Sequence, residues 1–392
     1  MQHTNVTTDQ ELRDFCRELS GARLIALDTE FVAEQTYRPV LCLIQVATED
    51  RLALIDPIGV GDLTPFWDAL AAPGHETIVH AGRNELEFCL RANGRRPAEL
   101  LDVQIAAGLT GIEYPAGYGT LVYKVLGASP KNAETRTDWR CRPLSDRQIQ
   151  YALDDVRYLP SIRDRLRARL EELGRTAWLA EEMSAWQDEV ENSLSHDRWR
   201  RVSGNSGLDR RSLAIVRELW RWRDSEAQRR DCPPRRVLRD DLIIELARRQ
   251  SSDIKRIQAV RGMERGDLKR QLPNLAASIE RGLKLAEKEW PAMARRENTP
   301  RLSVLGQFLF SALGSICRQR ELAPGLVGTP TDVRELIAYR TEQGGKEPPL
   351  LARGWRAEIV GQVFDDLLTG KLSIRIADPV SECPLVFEPA GR

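Results

Sequence analysis

No apolar run in this chain approaches the roughly 20 residues that a membrane-crossing helix needs, and the opening residues, Met-Gln-His-Thr-Asn-Val, carry neither the basic nor the apolar region of a secretory signal. Cysteine is sparse and irregular. Cys16, Cys42, Cys89, Cys141, Cys232, Cys317 and Cys383 are odd in number and include no Cys-x-x-Cys pair. That spacing excludes a disulfide framework and a thiolate zinc site, and it fits reduced thiols in a cytoplasmic protein. Net charge is absent too, since 58 Lys and Arg balance 58 Asp and Glu. The balance conceals segregation. Residues 1–197 hold 21 basic and 32 acidic side chains, residues 198–300 hold 26 and 15, and residues 301–392 hold 11 of each. An acidic first half and a basic middle fit metal chemistry in one and docking of a polyanion in the other. Trp199, Trp220 and Trp222 lie among the arginines of that middle. The length suffices for two or three domains.

The most informative pattern is Arg23-Leu-Ile-Ala-Leu-Asp28-Thr-Glu30-Phe31. The apolar run reads as a buried strand ending in a carboxylate, and the second carboxylate at i+2 leaves the same face. Two like charges side by side repel, and a hard divalent cation is the leading partner for them. More acids come later in the chain. Ile78-Val-His80-Ala-Gly82-Arg-Asn-Glu85-Leu reads as a strand, a turn and a helix with Glu85 in its first turns. Ser145 is a plausible N-cap for a helix holding Tyr151-Ala-Leu-Asp154-Asp155-Val-Arg-Tyr158-Leu. Tyr151 and Asp155 are then one turn apart on one face.

These motifs, in this order, resemble the ribonuclease D family, within the exonuclease superfamily named for four acidic residues and in its tyrosine-containing (DEDDy) branch. Asp28-Thr-Glu30-Phe matches the first motif and Tyr151 to Leu159 the third. Thr137-Asp-Trp139-Arg-Cys-Arg142-Pro143-Leu144-Ser and Tyr37-x-Pro39-x-Leu41-x-Leu43-Ile-Gln45 are also similar. The second motif departs, with Glu85 where the family usually has Asp. The resemblance implies a metal-dependent 3′-to-5′ exoribonuclease that releases nucleoside 5′-monophosphates. It implies two magnesium or manganese ions per site, with Asp28 bridging them, Glu30 and Asp155 completing the inner shell, and Glu85 serving the more exposed ion. Tyr151 would orient the attacking water. Hard oxygen donors select these metals over zinc, and paired ions suit in-line hydrolysis of a phosphodiester. Gln45, His80 and Arg142 are candidate substrate contacts. RNA, with transfer RNA precursors foremost, is the implied partner, and a monomer is expected.

The same resemblance implies an α/β ribonuclease H-like exonuclease domain over 1–175, a mixed five-stranded sheet flanked by helices. The runs Leu24–Leu27, Leu41–Ala47, Leu52–Ile55 and Thr77–His80 supply strands. A helical connector spans 176–203, and the breaker Ser203-Gly-Asn-Ser-Gly207 marks a linker. Two all-α domains of HRDC type complete the chain. Residues 204–290 resemble the HRDC module found behind ribonuclease D and RecQ helicases, through Trp222-Arg223, Pro234, Val237-Leu238 and Ile257–Gly262. Residues 300–376 resemble a more divergent copy through Leu351-Ala-Arg-Gly354-Trp355-Arg356. A loosely ordered tail at 377–392 is expected. Two other readings stay open: a DNA 3′-to-5′ exonuclease with the same chemistry, and a non-catalytic RNA-binding protein on a degenerate nuclease fold, favoured only by Glu85.

Overall fold

Three polar-leaning residues that carry no strand signal open the sheet. In the computed structural model, which describes all residues except 1–2, 130–136, 196–197, 294–299, 342–346 and 392, Thr4–Val6 form β1. Thr8 then caps α1 (Asp9–Leu19), and Glu11 closes a reciprocal capping box. Three strands run as a meander: β2 (Leu24–Val32), β3 (Val40–Ala47) and β4 (Leu52–Ile55). Next come α2 (Thr64–Ala71), β5 (Glu76–Val79), α3 (Arg83–Asn93), β6 (Leu101–Asp102) and α4 (Val103–Gly108). The sheet therefore has six strands, in the order β1-β4-β3-β2-β5-β6, where five were expected. The extra strand is β1, which pairs parallel with β4 through Thr4 to Val6. Only Val6 of the three is buried, so neither alternation nor an apolar run announces it.

β2 sits at the centre, antiparallel to β3 and parallel to β5. Its first four residues are wholly buried, as a strand covered on both faces requires. The ladder to β3 shifts register between Glu30 and Phe31, a bulge just past the second carboxylate. Helices α5 (Tyr118–Leu126), α6 (Asp146–Arg157), α7 (Leu159–Glu172) and α8 (Thr176–Ser195) come after the sheet. α6 packs across β2, β3 and β4. Ser145 is its N-cap, as expected, with Gln148 completing a capping box. The expected connector is mostly α8, which packs on α3, α4 and α7 and places Leu179, Met183 and Val190 in the core around the sheet.

The helical units behave differently from each other. The first is built from α9 (Arg210–Arg229), α10 (Pro234–Val237), α11 (Asp240–Arg249), α12 (Ile254–Gln258), α13 (Gly266–Lys269) and α14 (Leu272–Lys284). It has its own apolar core, including Leu219, Ile243, Leu275 and Ile279, with Trp220 and Trp222 packed against it. The second comprises α15 (Pro300–Gln319), α16 (Pro324–Val327), α17 (Pro330–Thr341), α18 (Gly354–Arg356) and α19 (Gln362–Leu368), the last two joined by wider π turns over Ala357–Gly361. Its buried residues are continuous with the core around the sheet. Trp355 stacks on Trp178 of α8 with ring centres 5.1 Å apart, and its indole N–H donates to Glu182 at 2.8 Å. The break expected before this unit includes 294–299, outside the described residues. Within the tail expected to be loose, β8 (Leu385–Pro389) returns onto β7 (Leu372–Ile376) as an antiparallel hairpin, held by five ladder pairs and an Arg375–Glu388 ion pair. Alternation in two short segments flanking a Pro-containing turn gives too weak a signal. Among the described residues no helix is long and apolar enough to cross a membrane.

Candidate active site

Three elements bring the acids together. β2 presents Asp28 and Glu30 on one face, and α6, lying over that face, brings Tyr151 and Asp155. The neighbouring Asp154 is turned away and buried, paired with Arg157 at 2.9 Å and accepting from Gln150 at 2.9 Å. The third element, α3, starts from a turn that admits little variation. Ala81 has φ +53°, and a Cβ on Gly82 would collide with the Val79 side chain. Asp102, 2 % exposed, accepts hydrogen bonds from the backbone N–H of Ala81 at 3.1 Å, Gly82 at 3.0 Å and Gln104 at 2.8 Å. The turn aims Glu85 back at β2, where its carboxylate accepts a 2.5 Å hydrogen bond from the Thr29 hydroxyl. Glu85 is 4 % exposed. It is thus a buried acid held by a donor.

The electrostatics of the four acids are one-sided. Burial pushes Asp28 well above the usual carboxylate range, and Glu85, Asp155 and Glu30 push it further. Burial, then Asp155 and Glu85, raise Glu30 to about 8. Burial raises Glu85 to about 7 against the opposing hydrogen bond from Thr29. Asp155 also rises to about 7, chiefly by burial, while the Tyr151 hydroxyl works to keep it ionised. No Lys or Arg among the described residues offsets this repulsion. An all-oxygen donor set with excess negative charge fits a hard divalent ion. Among the described residues no three His, Cys, Asp or Glu side chains already close around one point as a finished cage. Magnesium is compatible with such an open set, because it keeps several waters and takes only one or two carboxylates.

Asp28, His80, Tyr118, Tyr151, Asp155 and Leu159 line a cavity of about 140 Å³. Larger hollows lie at the opposite end of the sheet and in the first helical unit, and neither gathers these acids. His80 reaches the cavity wall, with Nε2 2.9 Å from the carbonyl oxygen of Ala116 and its ring edge-on to Tyr118. A carbonyl only accepts, so Nε2 carries the proton and Nδ1 is the acceptor. Tyr118 stands in Gly117-Tyr118-Gly119, whose glycines suggest no more than a simple turn. Its hydroxyl donates to the Asp154 carbonyl at 2.7 Å, fixing α5 against α6. A Tyr between two glycines has no spacing relation to the acidic motifs, so the sequence offers no pointer to it. Asp102 escapes notice for the same reason. Two expected substrate contacts are placed elsewhere. Gln45 is fully buried and unable to touch a nucleotide. Arg142 is engaged by Asp56 at 2.6 and 2.7 Å and by the Cys42 carbonyl at 2.7 Å, which ties the segment before α6 to β3 and the end of β4. Trp139 is buried beside Tyr151 and packs the segment before α6 against it.

A central mixed sheet with a cleft of carboxylates on β2, α3 and α6 defines a nuclease of the 3′-5′ exonuclease class, and residues 3–171 match the family model described as a 3'-5' exonuclease. Residues 212–279 match the HRDC domain. The ribonuclease D of Granulibacter bethesdensis is 33% identical over 95% of this chain and 94% of its own length. That of Pseudomonas paraeruginosa is 34% identical over 92% and 96%. The crystal structure of Escherichia coli RNase D, an exoribonuclease involved in structured RNA processing, matches with a TM-score of 0.82 at 28% identity, covering 94% of this chain and 99% of that one. The chain belongs to the ribonuclease D family.

Proposed function

We infer that the protein is a divalent-metal-dependent 3′-to-5′ exoribonuclease that hydrolyses RNA 3′ ends to nucleoside 5′-monophosphates. The observation that carries this reading is the set of four mutually repelling, uncompensated carboxylates in a ribonuclease D fold, of which Asp28 and Asp155 line the cleft together with Tyr151. Asp28, Glu30, Asp155 and Glu85 would hold magnesium or manganese, two ions per site. Bound there, the ions supply positive charge to the attacking water and to the leaving oxygen. Asp28 and Glu30 present donors from one rigid strand, and Asp155 adds one from α6. Glu85 is kept in place by Thr29, whose hydroxyl favours the ionised carboxylate against the burial that raises it. Tyr151 orients the water as a hydrogen-bonding hydroxyl. Burial and the nearby Asp155, Glu30 and Asp28 raise its pKa, so it stays protonated through neutral pH and is no general base. His80 offers Nδ1 to the 3′-terminal nucleotide.

The remaining assignments extend this reading. Residues 1–175 form the exonuclease domain, 204–290 the HRDC domain and 300–376 a second, divergent HRDC-like unit. Arg235, Arg239, Arg248, Arg249 and Arg261 line an open groove of about 850 Å³ in the first helical unit, where Asp240, Asp241 and Glu245 pair with Arg235, Arg239 and Arg249, so Arg248 and Arg261 are the proposed contacts to RNA phosphates. Transfer RNA precursors are the proposed substrates of a cytoplasmic monomer. The test is a time course on RNA labelled at its 5′ end, with and without magnesium or manganese, beside the matching DNA and the Asp28→Asn variant. Metal-dependent shortening by single nucleotides on RNA, lost in Asp28→Asn, is expected. Preference for DNA moves the protein to the DNA-trimming alternative. RNA binding without cleavage under any metal leaves a degenerate nuclease.

A further inference from the structure

Gln45 is 0 % exposed, and neither its amide oxygen nor its amide nitrogen has a hydrogen-bond partner among the described residues. Buried amides are almost always bonded, because an orphan has lost its water and gained nothing in return. The surroundings make the orphan more informative. In the β2–β3 ladder Gln45 stands directly opposite Asp28. The two side chains therefore leave the same face, with Cβ atoms about 5 Å apart. On its other side Gln45 pairs with Leu54 of β4. Along its own strand the same-face neighbours are Leu43 and Ala47, and α6 packs over them all. In the ladder the amide has Asp28 directly across and Glu30 on the diagonal, and its other neighbours, Leu43, Ala47 and Leu54, are apolar. A Leu or Met fills such a place equally well, so packing alone does not call for an amide.

We propose that Gln45 is a positioning residue for Asp28: the two are not bonded in the metal-free protein, and the amide nitrogen donates to the Asp28 carboxylate once a cation holds it ionised, so fixing which oxygen faces the cleft. An amide suits this task better than Lys or Arg. It holds the carboxylate by direction without neutralising it, and Asp28 keeps its full charge for a cation. The geometry also explains why a polar side chain is tolerated beneath α6. Its partner is a group whose charge matters most when the cleft is loaded, and a donor to an ionised carboxylate is a stronger partner than one to a neutral acid. Gln45 touches neither substrate nor solvent, so it acts only through Asp28.

The inference rests on the reading that Asp28 holds a divalent ion. The test uses full-length protein stripped of metal, as wild type, Gln45→Leu and Gln45→Met. Manganese binding is titrated by calorimetry, the metal-free thermal midpoint is recorded, and kcat and KM are measured on a short RNA. Both variants should keep a metal-free midpoint at or above that of wild type, since an unbonded buried amide has been replaced by apolar atoms. Manganese affinity should fall about tenfold, the scale of losses when a group orienting a metal ligand is removed. kcat should drop while KM for RNA is unchanged. A folded Gln45→Met that binds manganese as tightly as wild type overturns the role of Gln45 and leaves the metal reading standing. Absence of manganese binding by the wild-type protein overturns the metal reading itself, and this inference with it.

Discussion

The hydroxyl of Tyr151 faces Asp155, Glu30 and Asp28, and each of them makes its ionisation harder. A phenol so placed serves as a donor and an orienter. Tyr151→Phe should lower kcat by about 10–100-fold and leave KM for RNA nearly unchanged, in steady-state assays on a short oligomer; an orienting hydroxyl sits at the low end of what acid–base groups contribute. The carboxylates carry a second consequence at this scale. Glu30 is raised to about 8 and Glu85 and Asp155 to about 7, so the folded, metal-free protein retains protons that the unfolded chain has already released. Groups raised in this way contribute stability that is full below their unfolded pKa and is lost as pH rises through the folded one. Metal-free protein should therefore lose thermal stability from about pH 5 to about pH 8. Magnesium binds the ionised form, so the gap between the loaded and metal-free midpoints should widen over the same interval. A gap that narrows with rising pH in a melting series would contradict the assignment. Residue identities on β2 are readable because an apolar run ends in alternating acids. Their neighbours are not. Alternation puts Gln45 on the face of Asp28 but says nothing of α6, whose cover turns an expected nucleotide contact into a buried amide.

The same limit governs whole elements. α6 is legible because it carries its own start signal, the Ser145–Gln148 capping box, and its own motif. β1 is not, because three residues pair with a strand some fifty positions away and hold one buried side chain. The turn into α3 shows how an element depends on a residue without a motif. Asp102 lies at the end of β6 and satisfies backbone donors at the start of both α3 and α4. Asp102→Ala leaves buried N–H groups unbonded, at a cost of about 1–3 kcal/mol each before relaxation. Glu85 and His80 flank that turn on the chain. Urea denaturation should show a loss on that order. Cleavage should fall even on oligomers too short to reach the helical units. Unaltered cleavage in a destabilised variant would separate the turn from the site.

At the scale of the molecule, the exonuclease portion does not stand apart from the second helical unit. The sharp change of composition at the linker suggests that everything beyond it is removable, and the shared core contradicts that. Trp355, Leu351 and Phe364 complete the same core as α8, and the Arg356 guanidinium pairs with Glu182 of α8 at 2.9 Å while donating to the Leu326 and Val327 carbonyls. Trp355→Ala should destabilise the catalytic portion by about 3–5 kcal/mol, the usual penalty for emptying a buried aromatic site, seen as an earlier denaturation midpoint and a loss of metal-stimulated hydrolysis on heating. A midpoint equal to wild type would mean that the shared core is incidental. The HRDC unit is joined differently. Its own core is closed, and it touches the sheet through Tyr37, whose hydroxyl donates to Asp224 at 2.9 Å and whose backbone N–H donates to Asp231 at 3.1 Å. Tyr37 stands on the loop between β2 and β3, and the same β2 bears Asp28 and Glu30, nine and seven residues earlier. The fold therefore contains a short mechanical line. It runs from the helical unit through the two hydrogen bonds of Tyr37 and seven residues of chain to Glu30, so that unit is tethered to the strand that bears the acids.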